Sequence, residues 1–160
     1  MLQRLQTIFL LITAMFMLTM FFVPIWTKAD TATLHTYTMY AWRFQETNPI
    51  DNLGHTDFIP YIFIGMLASI AILVVLYEIF RYDNRVIQLK LGLLNGLLMT
   101  GIIGLVVYLA MKNEAKLLPG VAGQYKLGFI LPVIAIVSNL IANRLIKRDE
   151  KLVRSVDRVR

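Results

Sequence analysis

Four long apolar runs constrain this chain more than any other feature of its sequence. They cover residues 8–26, 58–80, 89–111 and 127–146. Each approaches the roughly 20 residues that an α-helix needs to cross about 30 Å of hydrocarbon. Backbone amides need partners inside lipid, and the runs lack the alternation of barrel strands. With 58% hydrophobic and only 16% charged residues and a mean hydropathy of +0.64, the sequence predicts an all-α membrane protein with four transmembrane helices.

The first apolar run admits two interpretations. Arg4 precedes it and the small residues Thr27 and Ala29 follow it, as in a cleavable signal peptide. Its apolar core is longer than a typical signal core, and three further runs follow, so we expect an uncleaved anchor. The sequence then predicts a transmembrane domain over residues 1–146, with an outer loop at 27–57, and a tail over 147–160.

The distribution of Lys and Arg predicts how the helices are oriented. If the N-terminus is cytoplasmic, that side holds eleven basic residues and the opposite side holds five. The positive-inside rule therefore places both ends in the cytoplasm and the loop at 27–57 in the periplasm. The basic residues lie in short segments between apolar runs rather than on one folded face, so nucleic acid is not an expected partner.

A stripe of small residues lies along the third apolar run. Gly92, Gly96, Thr100 and Gly104 follow one another at intervals of four. Small residues let membrane helices approach closely, which matters because lipid is as apolar as the helices themselves. The stripe predicts tight packing against another helix of this chain, or alternatively docking of a second copy or of a partner protein.

Three polar residues are predicted to lie at similar depth near the cytoplasmic face. Asn95 and Asn139 are each about five residues, roughly 7–8 Å of helical rise, from that face, and Glu78 is close to it. We expect them to form an inner-leaflet polar layer. Charge inside a membrane is costly unless it is paired, so the layer either clamps the helices, with Glu78 paired to Arg81 or Arg85, or binds an ion or substrate.

Aromatic residues alternate along part of the outer loop. In the stretch TYTMYAWRF, Tyr40, Trp42 and Phe44 occur at every second position, which is the period of a strand. Turn-forming residues follow. We expect a short strand or hairpin over the helices, with its aromatic side chains forming either an interfacial belt or a ligand-recognition surface.

The sequence offers little support for enzyme chemistry. His35, Asp51 and His55 in the outer loop are potential ligands or acid–base groups, but no familiar spacing joins them. The absence of cysteine excludes thiolate nucleophiles and thiolate metal sites. No glycine-rich phosphate loop, nucleophile elbow or HExxH motif occurs. We therefore predict no catalytic residues, no metal site and no cofactor.

The C-terminal tail is predicted to be a basic amphipathic helix. Leu145, Leu152 and Val156 gather into an apolar stripe, and basic residues occupy much of the remaining surface. Each basic residue near an anionic membrane surface contributes about 1 kcal/mol, so we expect contact with the anionic inner leaflet or, alternatively, with a cytoplasmic protein. The residues assigned to this contact are Arg144, Lys147, Arg148, Lys151, Arg154 and Arg158.

The two ends of the chain, MLQRLQT and ANRLIKRDEKLVRSVDRVR, flank the four apolar runs. In this arrangement the chain resembles a Bacteroidota family of small four-span membrane proteins catalogued as a domain of unknown function, family 4293. The resemblance covers the layout of the whole chain, and its more specific motifs are the two ends. It implies a bacterial inner-membrane location and supplies no catalytic residue.

These features favour a non-enzymatic accessory or scaffold subunit of a larger membrane complex. The small-residue stripe would dock a neighbouring helix, and the tail would engage the inner leaflet or a cytoplasmic partner. A small transporter or channel that uses the polar layer is the first alternative. A membrane enzyme with a site in the outer loop is the second.

Overall fold

Four helices make up most of the part of the protein that the structure describes. The computed structural model describes residues 2–29, 35–47, 55–81, 84–117 and 122–157. The helices are α1 (Leu2–Thr19), α2 (Ile62–Phe80), α3 (Arg85–Lys116) and α4 (Leu127–Asp157). Helices α2 and α3 and the segment Leu127–Leu152 of α4 are long and apolar enough to cross a membrane, while α1 contains a shorter apolar stretch, Leu5–Thr19. This composition is that of a membrane protein.

Helix α1 ends at Thr19, whereas the sequence predicts a helix as far as Trp26. Pro24 has no backbone N–H and disfavours helical geometry in the residue before it, so it separates the helix from the segment that follows. The carbonyl oxygen of Pro24 instead accepts a hydrogen bond from Gly128 N at 2.9 Å, at the start of α4. A Cβ atom on Gly128 would lie 2.7 Å from that oxygen, so this contact requires glycine.

A five-stranded antiparallel sheet corrects the all-α prediction. Its strands are β1 (Trp26–Ala29), β2 (Thr36–Met39), β3 (Phe44–Thr47), β4 (His55–Asp57) and β5 (Gln124–Tyr125). Their order in the sheet is β4-β3-β2-β1-β5, and every neighbouring pair is antiparallel. Four strands come from the connection between α1 and α2, and β5 comes from the connection between α3 and α4. The sheet therefore joins both connections at one end of the helices.

The predicted strand or hairpin in the outer loop is a hairpin. Strands β2 and β3 pair with Met39 opposite Phe44. The intervening turn is closed by a 2.8 Å hydrogen bond from Tyr40 N to the carbonyl oxygen of Arg43. The aromatic alternation does not mark one continuous strand, because Tyr40 and Trp42 lie in the turn and only Phe44 lies in a strand.

Buried residues recur along the helices at alternating intervals of four and three. In α2 the repeat runs through Ile64, Ala68, Ala71, Val75 and Glu78. In α3 it runs through Gln88, Gly92, Asn95, Met99, Ile102 and Val106. A repeat of 3.5 residues keeps one side of a helix facing its neighbours. Helices α1 and α3 each pack against both α2 and α4, and buried carboxylate and amide side chains are concentrated at the end opposite the sheet.

Candidate functional site

The helix interior becomes polar at the end farthest from the sheet. Glu78, Asn95 and Asn139 are each completely buried there, with 0% of their surface exposed. Glu78 reaches the interior because it follows Val75 by three residues in the buried repeat of α2. Asn95 occupies the corresponding place in α3, three residues after Gly92. Three different helices thus contribute the three residues predicted from the sequence.

Amide side chains of α4 pack against a glycine of α3. Asn139 Nδ2 donates a hydrogen bond to the carbonyl oxygen of Gly92 at 2.8 Å. One turn later, the Asn143 amide occupies the space beside Gly92, where an added Cβ atom would lie 2.1 Å from Asn143 Oδ1. A Cβ atom on Gly96 would make an ordinary 3.6 Å contact with Asn139 Nδ2. The first half of the small-residue stripe therefore lies against α4.

The second half of the stripe faces outward. Thr100 and Gly104 are exposed, and the Thr100 hydroxyl donates to the carbonyl oxygen of Gly96 at 2.8 Å. Added Cβ atoms on Gly101 or Gly104 would have no atom of the described residues within 4 Å. This half forms a notch on the outer surface of α3, and its use in docking stays a prediction.

The Glu78 carboxylate has no hydrogen-bond partner among the residues that the structure describes. Gln88 Nε2 donates to the backbone carbonyl oxygen of Glu78 at 3.0 Å and leaves its carboxylate unpaired. The predicted pairing with Arg85 does not form, because Arg85 pairs with Asp149 at 3.0 Å. Arg81, the other predicted partner, is exposed whereas Glu78 is buried. An unpaired carboxylate is costly inside a membrane, which makes Glu78 the strongest functional candidate.

Further amide atoms at this end are buried without partners in the described part of the chain. They are Gln6 Nε2, both side-chain polar atoms of Asn95, Asn139 Oδ1 and Asn143 Oδ1. Buried polar groups normally find partners, so this concentration makes the end of the helices opposite the sheet the candidate functional site. The described residues contain no group of three or more His, Cys, Asp or Glu residues suited to a metal ion.

Two hydroxyl groups connect α1 to α4 beside this layer. Ser138 Oγ donates to the carbonyl oxygen of Phe9 at 2.8 Å. Thr13 Oγ1 donates to the carbonyl oxygen of Phe9 at 3.0 Å and lies 3.4 Å from that of Ala135. Hydrogen bonds of this kind hold helices together where lipid gives no hydrophobic drive for association.

The two histidines of the outer loop, His35 and His55, have separate carboxylate partners. His35 Nδ1 lies 2.9 Å from Glu46 Oε1, and both side chains are partly exposed. His55 Nε2 lies 3.2 Å from Asp57 Oδ1 at a more exposed position. Asp51 lies outside the described residues. Each described histidine is thus paired within the sheet region with a different acidic residue.

The predicted aromatic residues occupy different environments. Phe44 is buried and stacks on Tyr61, with ring centroids 5.0 Å apart. Trp42 is 38% exposed. The guanidinium carbon of Arg43 lies 5.0 Å from the centroid of the Tyr40 ring and 4.7 Å from that of Trp42. Phe44 therefore belongs to the core, whereas Tyr40 and Trp42 surround a cation.

The basic tail continues the last helix, since α4 extends to Asp157. Four of the assigned basic residues have exposed side chains, namely Arg144, Lys147, Arg148 and Lys151. The side chain of Arg154 and the whole of Arg158 lie outside the described residues. Their contact with lipid or a partner stays a prediction.

The family model described as "Domain of unknown function (DUF4293)" matches residues 2–159. The chain belongs to the DUF4293 family. Comparison with curated proteins finds no match. The matched segment contains all four helices and the sheet of this DUF4293 protein. The description of the family names no reaction.

Sequence reasoning missed two buried polar contacts of this DUF4293 chain. Lys28 lies within the predicted outer loop at 27–57, yet it is only 2% exposed and its ammonium group donates to the carbonyl oxygens of Glu114 and Leu117. Tyr61 Oη donates to Asn113 Oδ1 at 2.9 Å. The first contact joins β1 to the end of α3, and the second joins the start of α2 to α3. Gln88 was also missed, although its position four residues before Gly92 in the buried repeat was a usable signal.

Proposed function

We propose that this protein is a non-enzymatic accessory or scaffold subunit of a larger complex in the bacterial inner membrane. All four helices cross the bilayer, both ends are cytoplasmic, and the sheet is periplasmic. The distribution of Lys and Arg supports this orientation. A second support for this orientation is the sheet. Strands β1–β4 lie between α1 and α2, and β5 lies between α3 and α4, so both connections are at the same end of the helices.

The outer notch of α3 is the observation that carries this proposal. Exposed residues of α3 form a second repeat of four and three, through Leu97, Gly101, Gly104, Tyr108 and Met111. The two glycines lie between Leu97 and Tyr108, which are 65% and 61% exposed. A 3.5-residue repeat with small residues at its centre suits the close approach of another helix. We assign the notch to a helix of a partner membrane protein.

The C-terminal part of α4 supplies a second contact. Its exposed basic side chains lie at the end of the helices opposite the sheet, which is the cytoplasmic side in this orientation. Lys and Arg near the anionic leaflet contribute about 1 kcal/mol each. Lipid contact here would hold the last helix in place while the notch of α3 binds its partner.

Site-specific photocrosslinking tests the accessory role. A photoreactive residue replaces Tyr108, and adducts are identified in the native membrane with and without the double substitution Gly101→Leu and Gly104→Leu. We expect a discrete adduct with another membrane protein that the double substitution abolishes. Ala115→Leu, an exposed position on the same helix, is the matched control and should preserve the adduct. An adduct only with a second copy of the chain, or none, would contradict the accessory role.

The unpaired carboxylate of Glu78 favours a second candidate function, a small transporter or channel for protons or monovalent cations. A buried ionisable residue in a membrane is a functional candidate by default. Proteoliposomes that carry the wild-type protein should then show proton or sodium flux, and Glu78→Gln should abolish it while Glu46→Gln, at the sheet, should not. Absence of flux in the wild type, or equal flux in the variant, would remove this candidate.

A further inference from the structure

A groove of about 750 Å³ lies between α1, α2 and the turn that joins β2 to β3. This volume is within the range of roughly 300–1,000 Å³ that is typical of small-molecule sites. Leu18 and Phe22 from one side and Ile72 and Leu73 from the other supply apolar walls. Phe22 and Leu73 are 76% and 64% exposed, so the groove opens on the outer surface of the helices.

The groove reaches a depth of about one leaflet. Leu73 lies eleven residues beyond Ile62, where α2 begins, which corresponds to about 16 Å of helical rise. The hydrocarbon region of a bilayer is about 30 Å thick. With the start of α2 at the interface, Leu73 therefore lies at about the middle of the membrane, a depth that the acyl chain of a phospholipid reaches.

A cation lies at the polar end of the groove. Tyr40, Trp42 and Arg43 line this end, and the Arg43 guanidinium lies beside both aromatic rings. Arg43 forms no ion pair within the described residues, and its Nε is buried without a hydrogen-bond partner there. Tyr and Trp favour the headgroup layer, and the planar guanidinium suits phosphate oxygens.

The turn that carries Arg43 is held firmly against α2. Gly65 permits this contact, since a Cβ atom there would lie 3.0 Å from the carbonyl oxygen of Ala41 and 3.3 Å from the Phe21 ring. Trp42 also contacts the Phe58 ring, with centroids 6.0 Å apart. The packing fixes the cation over the apolar groove before any ligand binds, which reduces the entropy cost of binding.

We propose that this groove binds one anionic phospholipid, with an acyl chain along α1 and α2 and the phosphate on Arg43. The depth of the apolar walls suits an acyl chain. The Arg43 cation, which has no ion pair among the described residues, favours a negatively charged headgroup. A zwitterionic lipid would offset part of its phosphate charge with its own cation. A helix of another protein would leave Arg43 without an anion.

Fluorescence quenching in vesicles tests this assignment. The chain has two tryptophans, and Trp26 is completely buried whereas Trp42 lines the groove. The full-length protein is placed in phosphatidylcholine vesicles that contain a minor fraction of either phosphatidylglycerol or phosphatidylcholine with brominated acyl chains. Bromine quenches tryptophan only on contact, so the ratio of quenching by the two lipids reports the preference at the groove.

We expect brominated phosphatidylglycerol to be preferred about fivefold, the factor that one basic residue gives at an anionic surface. Arg43→Gln should abolish the preference, and Arg43→Lys should retain most of it. Lys112→Gln removes an exposed positive charge near the C-terminal end of α3. This substitution should leave the preference for phosphatidylglycerol unchanged. Trp42→Phe should abolish the quenching itself.

Three results would overturn the assignment. One is equal quenching by the two lipids in the wild type. This result would mean that the groove binds lipid without regard to headgroup charge, or that protein occupies it. Another is an equal loss in the Lys112 variant, which would reduce the effect to general surface charge. The last is quenching that persists in Trp42→Phe. Circular dichroism and gel filtration establish that each variant is folded before its lipid preference is compared.

Discussion

Lys28 of β1 donates its ammonium hydrogens to the backbone carbonyl oxygens of Glu114 and Leu117 at the C-terminal end of α3. The last carbonyl groups of a helix have no partner within the helix and carry partial negative charge, so a cation stabilises them. The contact joins β1 to the C-terminal end of α3. It also explains why a Lys side chain is tolerated with only 2% exposure.

Lys28→Met should destabilise the protein. The substitution keeps much of the side-chain volume but leaves two partly buried carbonyl oxygens without their donor, at a cost of about 1–3 kcal/mol. Thermal unfolding in detergent would show the effect as a lower midpoint. Lys112→Met is the matched control, because Lys112 is exposed near the same helix end, and its midpoint should match that of the wild type. Equal midpoints for the two variants would contradict the bonding role of Lys28.

Alanine substitutions at Gly92 and Gly104 should have opposite effects on stability. Alanine in a helix is favoured over glycine by about 0.5–1 kcal/mol, and Gly104 has open space for a Cβ atom. At Gly92 the new atom would collide with the Asn143 amide, which costs about 1–3 kcal/mol. Chemical unfolding of both variants in the same detergent would reveal the difference.

The double substitution Gly92→Ala with Asn143→Ala provides the internal check on this contact. Removing the amide should recover most of the stability that Gly92→Ala loses, because the two residues share one space. If Gly92→Ala is as stable as Gly104→Ala, α3 and α4 are farther apart at this point than the structure shows.

Apolar length made the long helices predictable from the sequence. Helices α3 and α4 contain the third and fourth apolar runs and extend beyond them, whereas α2 begins at Ile62, four residues after the start of the second run. Asn84 explains the earlier start of α3, because its side chain accepts a hydrogen bond from Ile87 N at 3.2 Å and caps the helix. Hydrophobicity therefore predicts the apolar part of each helix. The ends of the helices depend on capping and on polar last turns, which the apolar runs do not include.

The sheet could not be predicted in full because its strands are short and distant in sequence. Strand β5 consists of Gln124 and Tyr125 alone and has no strand signal, yet it pairs with Thr27 and Trp26 at the beginning of β1. Such pairing depends on helices that bring residues almost a hundred positions apart to the same end. The buried amides were partly predictable, because Asn95 and Asn139 fall within apolar runs, whereas the burial of Lys28 depends on the position of the sheet.

Glu78→Gln should preserve the fold and raise its stability near neutral pH. Glutamine has almost the same shape and no charge, so it removes the cost of a buried carboxylate that has no partner among the described residues, an effect of about 1–3 kcal/mol. Glu46→Gln is the control, since the Glu46 carboxylate is partly exposed beside His35. Thermal unfolding should show a higher midpoint only for Glu78→Gln. A lower midpoint would show that the carboxylate itself holds the helices together.

Cysteine labelling should place the sheet and the tail on opposite sides of the membrane. The natural chain has no cysteine, so single substitutions at the exposed positions Thr47, in β3, and Lys147, in α4, give unambiguous labels. In intact bacterial spheroplasts a membrane-impermeant maleimide should modify Thr47→Cys at once and Lys147→Cys only after lysis, if the basic tail is cytoplasmic as the positive-inside rule predicts. A reporter at the N-terminus should also be cytoplasmic if α1 crosses the bilayer beside α2 and α4. Labelling of Lys147→Cys in unbroken spheroplasts would reverse the orientation, and a periplasmic N-terminus would reduce the crossing helices to three.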